Sequence, residues 1–168
     1  PARLRGRPMT GPNPFDLTEE LDLALGVADS ADEFTLTHFE ARDFSVDWKR
    51  NATEVTEIDR GAERLIVDAL VAARPDHGVF GEEHGLAGDS RSNWRWLIDP
   101  IDGTSGFVRG VPVWATLVAL VRANDPVLGV VSAPALGMRW WGGVGLGAHG
   151  SARGSTRPLS VSSVGDLT

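Results

Sequence analysis

Cysteine is absent from the 168-residue chain, which excludes a disulfide scaffold and any zinc site built on thiolates. That absence also fits a reducing compartment, so a cytoplasmic location is the expectation. Long apolar runs are missing too. The longest, Val111 to Val121, is about half a membrane span and carries Pro112 and Thr116, so it reads as a buried strand with no membrane association expected. No apolar stretch follows Arg3, Arg5 and Arg7, so the opening residues do not read as a secretion signal. Excess positive charge is lacking as well. With 23 acidic against 16 basic side chains, the net charge of −7 argues against a general nucleic-acid binder, which needs a basic footprint. An acidic chain can still take a phosphate ester if bound cations supply the positive charge. The four histidines, His38, His77, His84 and His149, lack metal spacing such as HExxH.

The remaining composition, 42% hydrophobic and 23% charged, is that of a soluble globular chain long enough for one core. Asp16, with Glu19 three residues on, reads as a capping box opening a first helix. Leu17, Leu21, Leu25 and Ala28 form its apolar stripe, continued loosely to Phe39. Phe44, Val46 and Trp48 alternate with polar residues as a strand does. Thr56 with Asp59 opens a second helix, with Ile58, Ala62, Leu65, Ala69 and Ala72 on one face and Pro75 as its stop. Strand-like runs follow at 78–81, 95–98, 113–121, 127–132 and 138–141, separated by turn signals such as Asn124-Asp125-Pro126. Two helices followed by antiparallel strands is an α+β layout.

Three acidic clusters lie at element ends. In Trp96 to Thr104, a strand delivers Asp99, Pro100 forces a turn, and Asp102 returns just before Gly103. Two carboxylates with a backbone carbonyl between them suit a hard divalent cation such as Mg²⁺. Gly103 allows close backbone approach, so its N–H and that of Thr104 can hold a phosphate oxygen. The competing reading is an ordinary Asp-Pro-x-Asp-Gly surface turn. Gly81-Glu82-Glu83-His84 ends another short strand with carboxylates, and Thr53 to Asp59 places acids at a helix start, where the helix dipole alone would favour them. Taken together, the three clusters read as parts of one oxygen-ligand site.

Trp96-Leu97-Ile98-Asp99-Pro100-Ile101-Asp102-Gly103-Thr104 resembles the main signature of the inositol monophosphatase superfamily. Glu54-Val55-Thr56 with Asp59, then Gly81-Glu82-Glu83, resemble its other landmarks in the same order, and the likeness runs from about Thr18 to the end. The resemblance implies a layered αβαβα sugar-phosphatase fold, of which this chain would supply two helices on an antiparallel sheet. It implies Mg²⁺ held by Glu82, Asp99, the carbonyl of Ile101 and Asp102, with Asp59 helping a further ion. Glu82 and Thr104 would orient and activate the attacking water, and Gly103, Thr104 and Ser105 would hold the substrate phosphate. Phosphoryl transfer to water needs positioning and charge neutralisation rather than a protein nucleophile, so the lack of cysteine is no obstacle. The segments Phe107 to Ala115, Val131 to Ala135 and Arg139 to Trp141 resemble histidinol-phosphate phosphatases of this type. The implied substrate is a small phosphate monoester, histidinol phosphate first and inositol-1-phosphate second, and a homodimer is a family expectation.

Gly106 stands where the family usually has Asn, and the family's WDxAA-type motif, which supplies a ligand of a second metal, does not occur. The expected organisation is a leader over 1–12 with Met9 as a start, a metal-binding domain over 13–150, and the beginning of a truncated domain over 151–168 with a strand at 158–161. On that reading the chain is a piece of a longer protein, and a non-catalytic remnant is the rival to an enzyme. Gly145 to Gly150 matches G-x-G-x-x-G, but Gly154 and Pro158 forbid the helix that a dinucleotide site requires, so a glycine-rich hairpin is expected. Lys49 is open to a contact with a metal-site carboxylate or to solvent, with exposure the default, and His84, the one histidine beside the Glu pair, is expected to be a solvated loop residue. Five of the tryptophans are expected to serve core or dimer contacts, and Asn51-Ala52-Thr53 to be a sequon without consequence.

Overall fold

The computed structural model describes residues 16–49 and 54–164. The leader, Met9 and the sequon lie outside them. Helix α1, Thr18–Ala41, is followed by the short strands β1 (Val46–Trp48) and β2 (Glu54–Thr56), and then by helix α2, Glu57–Ala73. Strands β3 (Gly78–Gly81), β4 (Gly85–Gly88) and β5 (Trp94–Asp102) lead into the six-residue helix α3, Thr104–Arg109. Five further strands follow among the described residues: β6 (Ala115–Arg122), β7 (Asp125–Ala133), β8 (Met138–Gly143), β9 (Gly147–Ala152) and β10 (Ser155–Pro158).

Eight strands form one sheet in the order β10-β9-β8-β7-β6-β5-β3-β4, while β1 and β2 pair separately. The layout is α+β as expected, but the sheet is mixed rather than antiparallel. β3 and β5 run parallel, with Gly81 opposite Ile98. The cause is topological: β4 folds back on β3 as an edge hairpin, and the chain then returns on the other side of β3. The parallel pair places the C-terminal ends of β3 and β5 side by side, and both ends carry carboxylates.

α1 and α2 pack on each other and on one face of the sheet. Ala24, Val27, Ala28 and Ala31 of α1 meet Ile66 and Leu70 of α2 over Val79, Trp96, Ile98, Val118, Leu120 and Val130. The small residues of α1 let its backbone approach closely, which the wider spacing of leucines in the sequence does not reveal. Leu21 and Leu25 are only half-buried. A second cluster of Ile58, Ile101, Phe107 and Trp114, packed with Phe34, Phe39 and Phe44, seats α3 under the end of α1.

Several local expectations change. No capping box opens α1: Leu17 is the N-cap, and Asp16 instead accepts from the backbone and hydroxyl of Thr18, at 3.0 and 2.6 Å. The buried face of α2 is Ile58, Asp59, Ala62, Glu63, Ile66 and Leu70, with Ala72 exposed, so the helix is turned to carry two acids inward. The last strand is 155–158, not 158–161, because it pairs with β9 across the Arg153-Gly154 turn. The glycine-rich hairpin is present as β8–β9. Trp96 and Trp114 are core residues.

Candidate active site

The site grows from four element ends. α2 begins with a true capping box: Thr56 Oγ1 accepts from the N–H groups of Ile58 and Asp59, at 3.1 and 3.3 Å, and the Asp59 carboxylate returns to Thr56. Asp59 Oδ2 accepts from Thr56 N at 2.8 Å and from Thr56 Oγ1 at 2.6 Å. A carboxylate at a helix N-terminus is electrostatically favoured, and the reciprocal bonds fix its rotamer. Its other oxygen is aimed across to α3, where Thr104 Oγ1 lies 2.9 Å from Asp59 Oδ1 and 3.0 Å from the carbonyl oxygen of Ile101. The single hydroxyl proton of Thr104 thus has two acceptors, and this bond joins two of the acidic clusters seen in the sequence.

β5 supplies the third side through a bulge. Asp99 pairs with Leu117 and Asp102 with Ala115, so three steps on β5 face two on β6. The extra residue bends the strand and re-aims its side chains. Thr116 stabilises the bend by donating its buried hydroxyl to the carbonyl of Pro100 at 2.9 Å. Gly103 follows at φ 93°, a backbone conformation that strains other residues, and a Cβ there would lie 3.1 Å from the carbonyl oxygen of Val113. The same carbonyl lies equally close to a Cβ built on Gly106, so glycine in place of the family's asparagine fits the tight passage of 111–113.

Glu82 completes the convergence. Its N–H continues the β3–β5 ladder by donating to the carbonyl of Ile98 at 3.2 Å, which brings it beside Asp99. Burial pushes the Asp99 carboxyl up to about 7, helped by the charge of Glu82, a hydrogen bond to it, and the charge of Asp102. Asp99 Oδ1 is buried and has no hydrogen-bond partner. Such crowding of acids, with one oxygen left without a partner, is what a bound cation would relieve. Among the described residues, no group of three or more His, Cys, Asp or Glu side chains is already drawn together around a metal position. Instead Glu82 is held by Lys49, whose Nζ lies 2.8 Å from Glu82 Oε1 and 2.6 Å from Glu83 Oε1.

Lys49 thus takes the carboxylate contact rather than the solvent exposure that was its default. Burial works to lower its pKa, but the two carboxylates outweigh it and the net shift is upward. Burial raises the carboxyl of Glu83 despite Lys49. Ser105 lies at the α3 start, but its hydroxyl is committed to Glu54 Oε2 at 2.5 Å, where Arg109 also binds at 2.7 Å. That clamp ties α3 to β2. Glu54 is thus committed to Arg109 and Ser105, which hold its carboxyl below the usual range. His84 is half-exposed yet anchored, with Nδ1 2.8 Å from Glu63 Oε1. Glu63, which the sequence reading passed over, is fully buried. Its signal was available in the i, i+4 spacing from Asp59, which places both acids on one helix face.

The profile of the Inositol monophosphatase family matches residues 16–168. The chain is 50% identical over 151 residues to a histidinol-phosphatase of Mycobacterium tuberculosis, covering 89% of this chain and 57% of that protein. It is 49% identical over 158 residues to one of Streptomyces coelicolor, covering 91% and 59%. The chain thus spans less than two thirds of these relatives' length. Among solved structures, the extragenic suppressor protein suhB of Bartonella henselae superposes with a TM-score of 0.78 at 28% identity, over 88% of this chain and 56% of that one. An inositol monophosphatase of Thermotoga maritima gives 0.74 at 34%, over 86% and 54%.

Proposed function

Because the chain belongs to the inositol monophosphatase family, we propose that it carries the metal-binding portion of a Mg²⁺-dependent phosphomonoesterase that converts histidinol phosphate to histidinol, a step of histidine biosynthesis. The observation behind this reading is Asp99, set between the charges of Glu82 and Asp102, with the Thr104–Asp59 hydrogen bond joining the ends of the next two elements. The donors are all oxygen, which suits a hard cation, and the buried Asp99 Oδ1 is an acceptor without a partner. Glu82, Asp99, the Ile101 carbonyl and Asp102 would hold Mg²⁺, and Asp59 would help a second ion. Such ions supply charge neutralisation at the phosphate and a more acidic water.

The protein's own groups would do the rest. Thr104 directs its hydroxyl hydrogen bond to Asp59 Oδ1 and the Ile101 carbonyl, which leaves the Oγ1 lone pairs to accept from a water and fix its approach. Glu82 would take the proton released by that water, and Lys49 balances Glu82 and Glu83 before substrate arrives. The backbone N–H groups of Gly103, Thr104 and Ser105 would cradle the phosphate. The substrate assignment draws support from the relatives named histidinol-phosphatase and from the Phe107 to Ala115 segment.

Phosphate release with Mg²⁺, from histidinol phosphate and inositol-1-phosphate in parallel and with an Asp99→Asn control, tests the proposal. Preference for histidinol phosphate that vanishes in the control is the expected result. Preference for the inositol ester contradicts the substrate, and undiminished release by Asp99→Asn contradicts the site. A folded, Mg²⁺-binding chain silent on both esters would refute turnover by this chain.

A further inference from the structure

Glu63 is a carboxylate with no exposed surface, and the hydrolytic scheme above gives it no part. Its partners are specific. Oε2 accepts from the N–H of Glu83 and Oε1 from the N–H of His84, both at 2.7 Å, and Oε1 also meets His84 Nδ1 at 2.8 Å. Two successive backbone N–H groups converging on one carboxylate is an anion nest filled from within the chain, and its charge-assisted bonds are among the stronger ones available. The approach is possible only because residue 81 is glycine: a Cβ there would lie 2.3 Å from the Glu63 carboxyl carbon.

These contacts bracket Glu82. Its own N–H is fixed to Ile98, and the next two N–H groups are fixed to Glu63. We propose that Glu63 is a positioning residue for the cation site: its buried carboxylate locks the 82–84 backbone so that the Glu82 side chain is aimed at Asp99. The role rests on the functional reading above, but the clamp itself does not. Glu63 reaches no reacting atom and acts only through the backbone that follows Glu82. The second clamp, Lys49, acts on the carboxylates of Glu82 and Glu83 from the outside, so the loop is held on two sides.

The test uses the Glu63→Gln chain, which keeps the side-chain size but turns an NH₂ toward one backbone N–H. Leu70→Ala, lower on the same helix and fully buried, serves as the destabilised control. Amide hydrogen exchange of Glu83 and His84 is measured without metal, and Mn²⁺ is titrated by its paramagnetic signal. Glu63→Gln is expected to lose at least about tenfold of amide protection at those two residues and to weaken Mn²⁺ binding about 10- to 100-fold, the range for partners that orient ligands. Leu70→Ala should do neither beyond its global loss of stability. A folded Glu63→Gln chain with unchanged protection and affinity overturns the proposal. If the unsubstituted chain binds no Mn²⁺, the cation reading fails, and with it the positioning role, while the exchange data still decide the clamp. Should Glu63→Gln not fold, rapid exchange of the Glu83 and His84 amides in the unsubstituted chain would by itself overturn the clamp.

Discussion

Replacing Thr56 by Val should separate a working capping box from a coincidence of contacts. The two side chains are nearly isosteric, and Thr56 sits in extended backbone at φ −117° and ψ 165°, which Val favours, so no cavity or strain arises. What disappears is one hydroxyl with three partners: the N–H groups of Ile58 and Asp59, and Asp59 Oδ2. Loss of a Thr cap costs about 1–2 kcal/mol. Withdrawing a hydrogen bond from a buried carboxylate costs about 1.5–3 kcal/mol more. Because one group makes all three bonds, the two figures overlap, and about 3 kcal/mol is expected. In a chain of this size that lowers Tm by about 6–12 °C. Urea unfolding followed by circular dichroism should show the loss at unchanged m value. Thr37→Val is the control, since that exposed hydroxyl only back-bonds to the Glu33 carbonyl at 2.7 Å, and it should change stability by less than about 0.5 kcal/mol. A Thr56→Val loss no larger than the control would refute the reasoning, along with the claim that Asp59 is held rigidly for Thr104.

Phe107, fully buried against Phe39, Phe44 and Trp114, should cost about 3–5 kcal/mol when cut to Ala, measured by urea unfolding. Lys49→Met removes the charge that competes with a cation for Glu82, and calorimetry should show Mg²⁺ binding about two- to fivefold tighter, as loss of that one partly exposed ion pair implies. His77 is buried and stacked on Trp94, and burial holds its pKa below 6.5 against the opposing charges of Asp76 and Glu20. The unfolded chain therefore binds the proton more readily, so stability should fall as pH drops below about 6.5, and His77→Phe should flatten that part of the profile.

How much was legible in the sequence depended on whether the signal was local. The Asp99 to Thr104 carboxylate string and the Thr56/Asp59 helix start were readable because each is a short string whose residue types have few other uses, although the turn expected at Pro100 is a bulge within β5. The hairpin at Gly145 was readable because Gly154 and Pro158 exclude a helix. The parallel pairing of β3 with β5 was not, because four residues with two glycines carry no record of their partner strand. α3 was missed since Gly103, Gly106 and Gly110 argue against a helix, whereas the Phe107 anchor and the Arg42 guanidinium on the carbonyls of Phe107 and Val108 hold it in place. The carboxylate contact of Lys49 was foreseeable only as an alternative to exposure, because its partners lie 33 and 34 residues away. The face of α2 was misjudged by weighting leucine and alanine over Asp59 and Glu63; the burial of Glu63 is compensated by bonds to Glu83 and His84 that only the fold supplies.

The central claim is that Glu82, Asp99 and Asp102 form a divalent-cation site, and Mg²⁺ titration by calorimetry tests it most directly. Saturable binding to the unsubstituted chain, weakened at least about tenfold by Asp99→Asn and by Asp102→Asn alike, is the predicted result. Equal affinity in all three chains, or no binding by a folded chain, would contradict it.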